Sequence, residues 1–100
     1  MTKYNVKLMA RAVRDLEGIY DYIISEFKMY DTAENIVSLL ETSILGLSEM
    51  PYRGAIRRVG IYSNKGYRQL FVKNFTIVYR VDEKVQTVII VTIRYTPSEF

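Results

Sequence analysis

The 100-residue sequence predicts an α+β domain, with a strand and an antiparallel helical hairpin packed on one face of a twisted antiparallel sheet. Three observations lead to this class. Two stretches carry apolar residues at helical spacing, and three later stretches are rich in β-branched and aromatic residues that alternate with polar ones. Short polar connectors separate those three stretches, as in hairpins. The predicted element order is β-α-α-β-β-β, and we expect residues 1–100 to form a single domain.

The N-terminal stretches predict a strand followed by a helix. Lys3–Met9 alternates in polarity and carries lysines on its polar side, which is typical of a half-buried edge strand. Arg11–Phe27 changes to helical spacing, with its apolar residues on one stripe. Gly18 lies inside this helix, where glycine is unfavourable, and we expect it to mark a close packing contact.

A second helix follows after a short polar connection. Asp31 or Thr32 is placed to cap this helix, and Glu34 can complete a capping box. The apolar stripe continues to about Met50, and Pro51 ends the helix because the residue before a proline avoids helical backbone angles. Two helices joined so closely form an antiparallel hairpin, and their apolar faces match the cover that a sheet requires.

The C-terminal half predicts a meander of three antiparallel strands. A basic, glycine-rich loop over Tyr52–Gly66, with a short extended piece near Val59–Tyr62, leads into strands at Tyr67–Lys73, Phe75–Val81 and Val85–Tyr95. Alternation along the strands gives one fully apolar face and one mixed face that collects arginines. We therefore expect the helices to cover the first face and the second face to be available for binding.

The faces of the individual candidate residues depend on strand register. Arg80 and Arg94 share a face if the turn between the last two strands pairs residue 80 with residue 86. Strict alternation places Arg94 and Tyr95 on opposite faces, so a joint role requires the strand to bend or end there. The register of the hairpin at residues 73 and 74 cannot be read from the sequence, and the face of Arg68 is left open.

The composition excludes several classes of function. The chain has no cysteine and no histidine, which excludes thiol nucleophiles, disulfides, thiolate metal sites and the ordinary catalytic triads. We expect no metal and no other cofactor. The acidic neighbours Asp15 and Glu17 are expected on solvated helix surface, and Asp82 and Glu83 in a turn. The sequence shows no membrane span and no signal-peptide apolar segment, so we expect a cytoplasmic protein.

Charge is unevenly distributed along the chain. Residues 1–52 hold five Lys/Arg and eight Asp/Glu, a net charge of −3, whereas residues 53–100 hold nine and three, a net charge of +6. A basic half is typical of a polyanion binder, and a merely solvated basic surface is the alternative. Guanidinium groups bind phosphates and tyrosine rings stack on bases, so the mixture suits single-stranded nucleic acid. Arginines and a tyrosine can also support RNA cleavage, which requires proton transfer and charge stabilisation.

Four segments carry a family pattern: DLEGIYDYI in the first helix, LSEMPYRG at the junction, GYRQLFVKNFTIVYRVDE in the strand pair and the closing VIIVTIRY. Together they cover essentially the whole chain, and they resemble the RelE/ParE superfamily of toxins from bacterial type II toxin–antitoxin modules. The resemblance implies a helical hairpin on a twisted antiparallel sheet. It also implies a cognate antitoxin, RelB/ParD-like, whose extended and partly helical segment wraps the toxin and blocks its basic face.

The superfamily divides by activity. RelE-like members cut messenger RNA in the ribosomal decoding site with scattered basic residues and a C-terminal tyrosine or histidine, whereas ParE-like members poison DNA gyrase. By position, Arg68 is similar to the basic residue of the first long strand, Tyr95 to the terminal aromatic residue, and Arg94 to the arginine that precedes it in some ribonucleases. Two departures stand against these matches: Thr76 occupies a position where many ribonuclease members have arginine, and residues 96–99 lack the Gly-x-Arg-Asp segment of many relatives.

We expect from this resemblance a ribosome-dependent mRNA endonuclease toxin that is neutralised by an antitoxin. A ParE-like gyrase inhibitor without nuclease activity is the alternative, and a non-toxic remnant that only binds its antitoxin is a third. The expected partners are the antitoxin, with the ribosome and messenger RNA, or DNA gyrase in the alternative. The expected site residues are basic or phenolic side chains of the C-terminal half: catalytic Arg68, Arg80, Arg94 and Tyr95, and substrate-binding Arg58, Lys65 and Lys73.

Overall fold

The computed structural model describes residues 3–63 and 65–97, and these residues fold as a helical hairpin on one face of a five-stranded sheet. The elements in chain order are β1 (Asn5–Leu8), α1 (Ala10–Phe27), α2 (Tyr30–Gly46), β2 (Ala55–Ile56), β3 (Arg68–Val72), β4 (Phe75–Asp82) and β5 (Thr87–Tyr95). A 3-10 helix at Gly60–Tyr62 lies between β2 and β3. The predicted α+β class and the order of the elements are confirmed.

The sheet has the spatial order β1-β5-β4-β3-β2. The three long strands form the predicted antiparallel meander, in which β4 pairs with both β3 and β5. β1 lies at the edge, as expected, but it pairs with β5 in the parallel direction. The sheet is therefore mixed, because the helical hairpin between β1 and the meander carries the chain across the sheet as a crossover connection.

The core lies between the helical hairpin and the sheet. The apolar stripe of α2 contributes Leu40 and Ile44, and Leu47 follows directly after the helix; all three are almost completely buried. They pack in one cluster with Ile77 and Tyr79 of β4 and with apolar side chains of β5. Burial of apolar surface stabilises a fold by roughly 25 cal/mol per Å². This contact therefore holds the strands in place, and the candidate site residues project from a rigid sheet.

The boundaries of α2 differ from the sequence prediction. α2 begins after Met29, without a side-chain hydrogen bond at its N-terminus, so neither Asp31 nor Thr32 caps it and the capping box does not form. The connection from α1 is a tight one, in which Lys28 has a left-handed backbone with φ of 54°. That connection fixes the start of α2. The helix ends at Gly46, and a turn over residues 47–49 leads to the proline.

The loop before β3 contains β2 and the 3-10 helix where a single extended piece was expected. The extended residues are Ala55–Ile56, because Ile56 pairs with Arg68 and Ala55 with Gln69. Gly60 has φ of 75°, which ends any extended stretch there and starts the 3-10 turn. Among the described residues, no helix combines the length and the apolar character needed to cross a membrane.

Two glycines have opposite roles in the packing. Gly18 was expected at a close contact, and this prediction is wrong: a Cβ atom there would have no heavy atom within 4 Å. Gly54 is the glycine that close packing requires. A Cβ atom on Gly54 would clash with the backbone oxygen of Gln69 and would lie 2.7 Å from the hydroxyl of Tyr79.

Candidate functional site

The register of β4 and β5 places Arg80 and Arg94 on one face of the sheet. Arg80 pairs with Ile89, and Thr76 pairs with Arg94, so five residues of β4 lie opposite six residues of β5. The extra residue is Val91, which forms a β-bulge and reverses the alternation of β5. Both arginines therefore lie on the face turned away from the helices, called the open face below, although residue 80 does not pair with residue 86.

The two arginines of the open face lie at different ends of the strand pair. Four residues of β4 separate their positions, which is a distance of about 13 Å at about 3.3 Å per residue. Arg80 is exposed and Arg94 is half-buried. Arg94 is held at its own end, where its Nε donates a hydrogen bond to the hydroxyl of Thr92 at 3.2 Å. In this arrangement each cation can bind an anionic group, and Arg94 is engaged with Thr92 at its own end of the strand pair.

Asp15 of α1 organises the end of β5 that carries Arg94. Its Oδ2 accepts hydrogen bonds from the hydroxyl of Thr92 at 2.5 Å and from the backbone N–H of Ile93 at 3.1 Å. β1 pairs with β5 only as far as Ile90, so Ile93 lies on an edge where no strand provides its partner. The prediction that Asp15 is solvated is wrong, since this side chain is half-buried and caps the sheet edge. Periodicity does not show this role, because it depends on how α1 crosses β5.

Arg68 lies on the helix-facing side of the sheet and belongs to the packing of the junction before β2. It pairs with Tyr79, its Nη1 donates a hydrogen bond to the carbonyl of Gly54 at 2.7 Å, and its guanidinium carbon lies 4.8 Å from the centre of the Tyr52 ring. The hydroxyl of Tyr79 accepts a hydrogen bond from the N–H of Gly54 at 2.9 Å. Burial raises the pKa of Tyr79 above its ordinary value of 10.0. This phenol is therefore neutral at pH 7 and does not act as a base.

Tyr95 projects to the opposite side of the sheet from Arg94. It pairs with Phe75, and the two rings are in edge-to-face contact with centroids 6.0 Å apart. Half of the Tyr95 side chain is exposed. The expected catalytic set is thus divided: Arg80 and Arg94 lie on the open face, and Arg68 and Tyr95 lie on the helix-facing side.

The expected substrate-binding cations are exposed and widely spaced in the sequence. Arg58 follows β2, Lys65 precedes β3, and Lys73 lies in the turn between β3 and β4 with φ of 55°.

Arg57 was not among the site residues expected from the sequence. This buried side chain donates from Nη1 to Oε1 of Gln69 at 2.8 Å, and burial lowers the pKa of the guanidinium. The register of β2 on β3 places Arg57 on the open face, and that register has no sequence signal.

An open groove of about 720 Å³ lies between the helical hairpin and the ends of β4 and β5. Its walls are mainly apolar, and its rim includes Tyr22, Phe27 and Met29, each more than half exposed. Gly18 also lines the groove, where its missing side chain leaves open space. Tyr95 forms part of the wall at the sheet end. A space of this size and lining suits a peptide segment with large apolar side chains.

Within residues 3–63 and 65–97, no three acidic side chains gather as ligands for a metal ion. The described side chains can bind anions through exposed guanidinium and ammonium groups, and the groove can bind apolar groups. Two carboxylates lie near the arginines of the open face: Asp82 is two residues from Arg80 on the same side of β4 and accepts a hydrogen bond from the N–H of Lys84 at 3.1 Å, and Asp15 is bonded to Thr92 and Ile93.

The chain matches the family model described as the ParE toxin of type II toxin-antitoxin system, parDE, over residues 6–98. A solved structure of the chromosomal ParDE system from P. aeruginosa is similar in fold, with a TM-score of 0.77 and 22% identity over 95% of this chain and 98% of that chain. The RelBE2 toxin–antitoxin complex from Mycobacterium tuberculosis has a TM-score of 0.66 and 23% identity over 95% and 93%. The isolated E. coli RelE toxin has a TM-score of 0.58 and 13% identity over 92% and 83%. No curated protein matches the sequence.

Proposed function

Because the chain belongs to the ParE toxin family of type II toxin–antitoxin systems, we propose that it stops growth by binding DNA gyrase and that it does not cleave RNA. The observation that carries this proposal is the division of the expected catalytic set between two sides of the sheet. Proton transfer and charge stabilisation at one phosphate require groups within hydrogen-bond reach of the same atoms. Inhibition by binding requires only exposed complementary surface, which cations and apolar side chains supply.

The proposed antitoxin site is the groove between the helical hairpin and the ends of β4 and β5. The exposed apolar rim favours a peptide segment with large apolar side chains over a small molecule. Arg14 and Arg94 lie on the groove wall with one carboxylate, Asp15, which is already bonded to Thr92 and Ile93, and the excess of positive charge favours acidic residues on that segment. The solved M. tuberculosis relative is a complex of a toxin with its antitoxin. The antitoxin is therefore expected to be a small acidic protein encoded by a neighbouring gene.

Parallel assays on the purified chain distinguish gyrase inhibition from message cleavage. We expect the chain to inhibit supercoiling by gyrase while a defined message stays intact during translation. Cleavage at in-frame positions that stops when translation is blocked, with supercoiling unaffected, would contradict the proposal. Growth that continues normally, with neither effect, would leave a remnant that only binds its antitoxin.

The second candidate function is the ribosome-dependent mRNA endonuclease. It is favoured by the shared face of Arg80 and Arg94, where Phe71, which is 58% exposed and pairs with Thr76, offers a ring for stacking. In this candidate Arg68 and Tyr95 act from the helix-facing side, so the message must contact both sides of the sheet, with Arg58, Lys65 and Lys73 as supporting cations.

Three variants separate the two functions: Arg80→Ala, Arg94→Ala and Tyr95→Phe. Arg11→Ala on α1 is the control for an exposed arginine. If the chain is a nuclease, each of the three variants loses message cleavage and growth inhibition, whereas the control keeps both. If the chain inhibits gyrase, Tyr95→Phe keeps growth inhibition, because it removes one hydroxyl and no charge.

Gly18 provides a matched test of the proposed antitoxin site. Gly18→Trp adds a large side chain at a position where a Cβ atom has open space and which lines the groove, so we expect the indole to occupy the groove. We expect it to weaken antitoxin binding by at least about tenfold, the loss typical of a blocked interface centre. Gly18→Ala adds a single methyl group and should bind the antitoxin like the unaltered chain. Equal affinity of all three proteins would show that the antitoxin binds elsewhere.

A further inference from the structure

The segment Arg58–Ser63, between β2 and β3, exposes two aliphatic side chains next to a cation. Val59 is 61% exposed and Ile61 is 64% exposed, and only Gly60 separates them. Arg58, directly before them, is exposed as well. Single exposed apolar residues are common on protein surfaces. Two of them on one short exposed segment, beside an arginine, form a small surface with both apolar and cationic character, which is called the tip below.

Local contacts hold the tip in one conformation. Gly60 has φ of 75°, a backbone conformation that glycine adopts without strain. Ser63 donates two hydrogen bonds to the carbonyl of Gly60, from its backbone N–H at 3.1 Å and from its hydroxyl at 2.8 Å. The ring of Tyr62 packs edge-to-face against Tyr67, with centroids 5.2 Å apart. A surface that is already ordered loses little conformational entropy on binding.

Cations predominate in the chain around the tip. Residues 54–81 contain six Lys/Arg and no Asp/Glu, and Asp82 and Glu83 follow directly. Arg80 is exposed on the open face, and because Arg68 pairs with Tyr79, Tyr67 follows in register opposite Arg80. Arg58 lies on the tip and Arg80 close to it, so cations outnumber Asp82 there, and a partner with carboxylate groups is electrostatically complementary to the tip.

The side chains of the tip indicate a protein as this partner. Val59 and Ile61 have no aromatic ring with which to stack on bases, and the rings of Tyr62 and Tyr67 pack on each other. Aliphatic side chains gain free energy by entering an apolar pocket, and such a pocket ringed by acidic residues is a feature of protein surfaces. We infer that the tip binds the protein target of this toxin at an acidic surface with an apolar pocket. The inference rests on the proposed function and names the part of the chain that contacts the target.

The tip is distinct from the proposed antitoxin site. The groove is lined by residues of α1, α2, the connection between them and the ends of β4 and β5, and none of its lining residues lies between residues 37 and 73. Substitutions on the tip should consequently reduce toxicity without reducing affinity for the antitoxin. This separation allows the target surface to be tested by itself.

The experiment compares tip variants with matched variants in the turn between β4 and β5. Val59→Ser/Ile61→Ser removes the apolar contact and Arg58→Glu reverses the charge. Val85→Ser, at a position 62% exposed, and Lys84→Glu are the controls. The measurements are growth inhibition after induction, supercoiling by gyrase, antitoxin affinity and thermal unfolding. All five positions are exposed, so each variant should keep the thermal stability of the unaltered chain.

We expect both tip variants to lose at least about tenfold in growth inhibition, as for hot-spot residues of an interface, while both controls stay toxic. Antitoxin affinity should be the same in all variants. Full toxicity of the tip variants would overturn the inference. A loss of antitoxin affinity with toxicity kept would assign the tip to the antitoxin instead. A loss of binding to single-stranded oligonucleotide or anionic vesicles, with toxicity kept, would likewise overturn it.

Growth inhibition separates this inference from the proposed function. If the unaltered chain leaves supercoiling untouched but stops growth, gyrase is not the target and the proposed function fails. The tip variants still report on the true target in that case, because their growth phenotype does not depend on which protein is bound.

Discussion

The substitution Gly54→Ala tests how the junction before β2 is locked onto the sheet. The new methyl group would clash with the backbone oxygen of Gln69 and would lie 2.7 Å from the hydroxyl of Tyr79. A flexible side chain could move aside, but the Gln69 oxygen belongs to β3 and cannot move without disturbing its pairing with β2. The strand pair must therefore separate, and the hydrogen bond from Gly54 to Tyr79 would be lost with it.

Two contributions set the size of this effect. Overpacking at a well-packed site costs typically about 1–3 kcal/mol. A buried hydroxyl or N–H that loses its partner costs about 1–3 kcal/mol more. We expect Gly54→Ala to lower the free energy of unfolding by about 3 kcal/mol, a large part of the roughly 5–15 kcal/mol typical of a domain. Such a loss corresponds to a decrease in Tm of more than about 10 °C for a domain of this size.

Urea unfolding followed by circular dichroism measures the effect, with Tyr79→Phe as the second variant in a double-mutant cycle. Tyr79→Phe should cost about 1–3 kcal/mol, since the N–H of Gly54 loses its acceptor. In the double variant the costs should not add, because the methyl group no longer meets a hydroxyl, although the contact with Gln69 persists. A loss below about 0.5 kcal/mol for Gly54→Ala, within the usual range of surface substitutions, would refute this account of the junction.

Three further predictions concern stability and its dependence on pH. Gly18→Ala should raise the free energy of unfolding by about 0.5–1 kcal/mol in urea, since the site has open space and alanine is the better helix former; a destabilised variant would contradict the packing described for α1. Asp15→Asn should lower the free energy of unfolding by about 1–3 kcal/mol, because the hydrogen bonds from Thr92 and Ile93 lose their charged acceptor. The control Glu17→Gln, on the exposed side of the same helix, should leave the free energy of unfolding unchanged. Burial raises the pKa of Tyr79, so the neutral phenol stabilises the fold fully below pH 10.0, and this contribution is lost as the pH rises through the folded-state pKa. Between pH 8 and 11 the free energy of unfolding should therefore fall less steeply in Tyr79→Phe than in the unaltered chain. Parallel curves for the two proteins would contradict this account of Tyr79.

The sequence was informative about elements and less so about their ends. Helical spacing and strand alternation predicted both helices, β1 and the meander, because the apolar residues that produce these patterns are the ones buried in the core. The predicted start of α2 was wrong because the tight connection at Lys28 and Met29 determines where the helix begins, and no side chain caps its N-terminus. The two residues of β2 carry too little pattern to be recognised, since their pairing with β3 alone defines them.

The faces of the candidate site residues depended on features that local sequence does not encode. Alternation correctly placed Arg94 and Tyr95 on opposite sides of β5. It could not reveal the bulge at Val91, which is what brings Arg94 to the face of Arg80. The structural roles of Asp15 and Arg68 also escaped the sequence, because each depends on contacts with residues far away in the chain. The assignment of catalytic roles to these residues remains a prediction for the variants proposed above.

The parallel pairing of β1 with β5 has a consequence for synthesis on the ribosome. The first strand lies beside the last one, and Asp15 of the first helix caps the backbone of residue 93. A nascent chain that has exposed β1, α1 and α2 therefore has no sheet on which to pack them. The proposed antitoxin groove shares this dependence, because its wall includes Ile93 and Tyr95. We therefore expect antitoxin binding to begin only after β5 has left the ribosome, because the groove has no sheet wall before then.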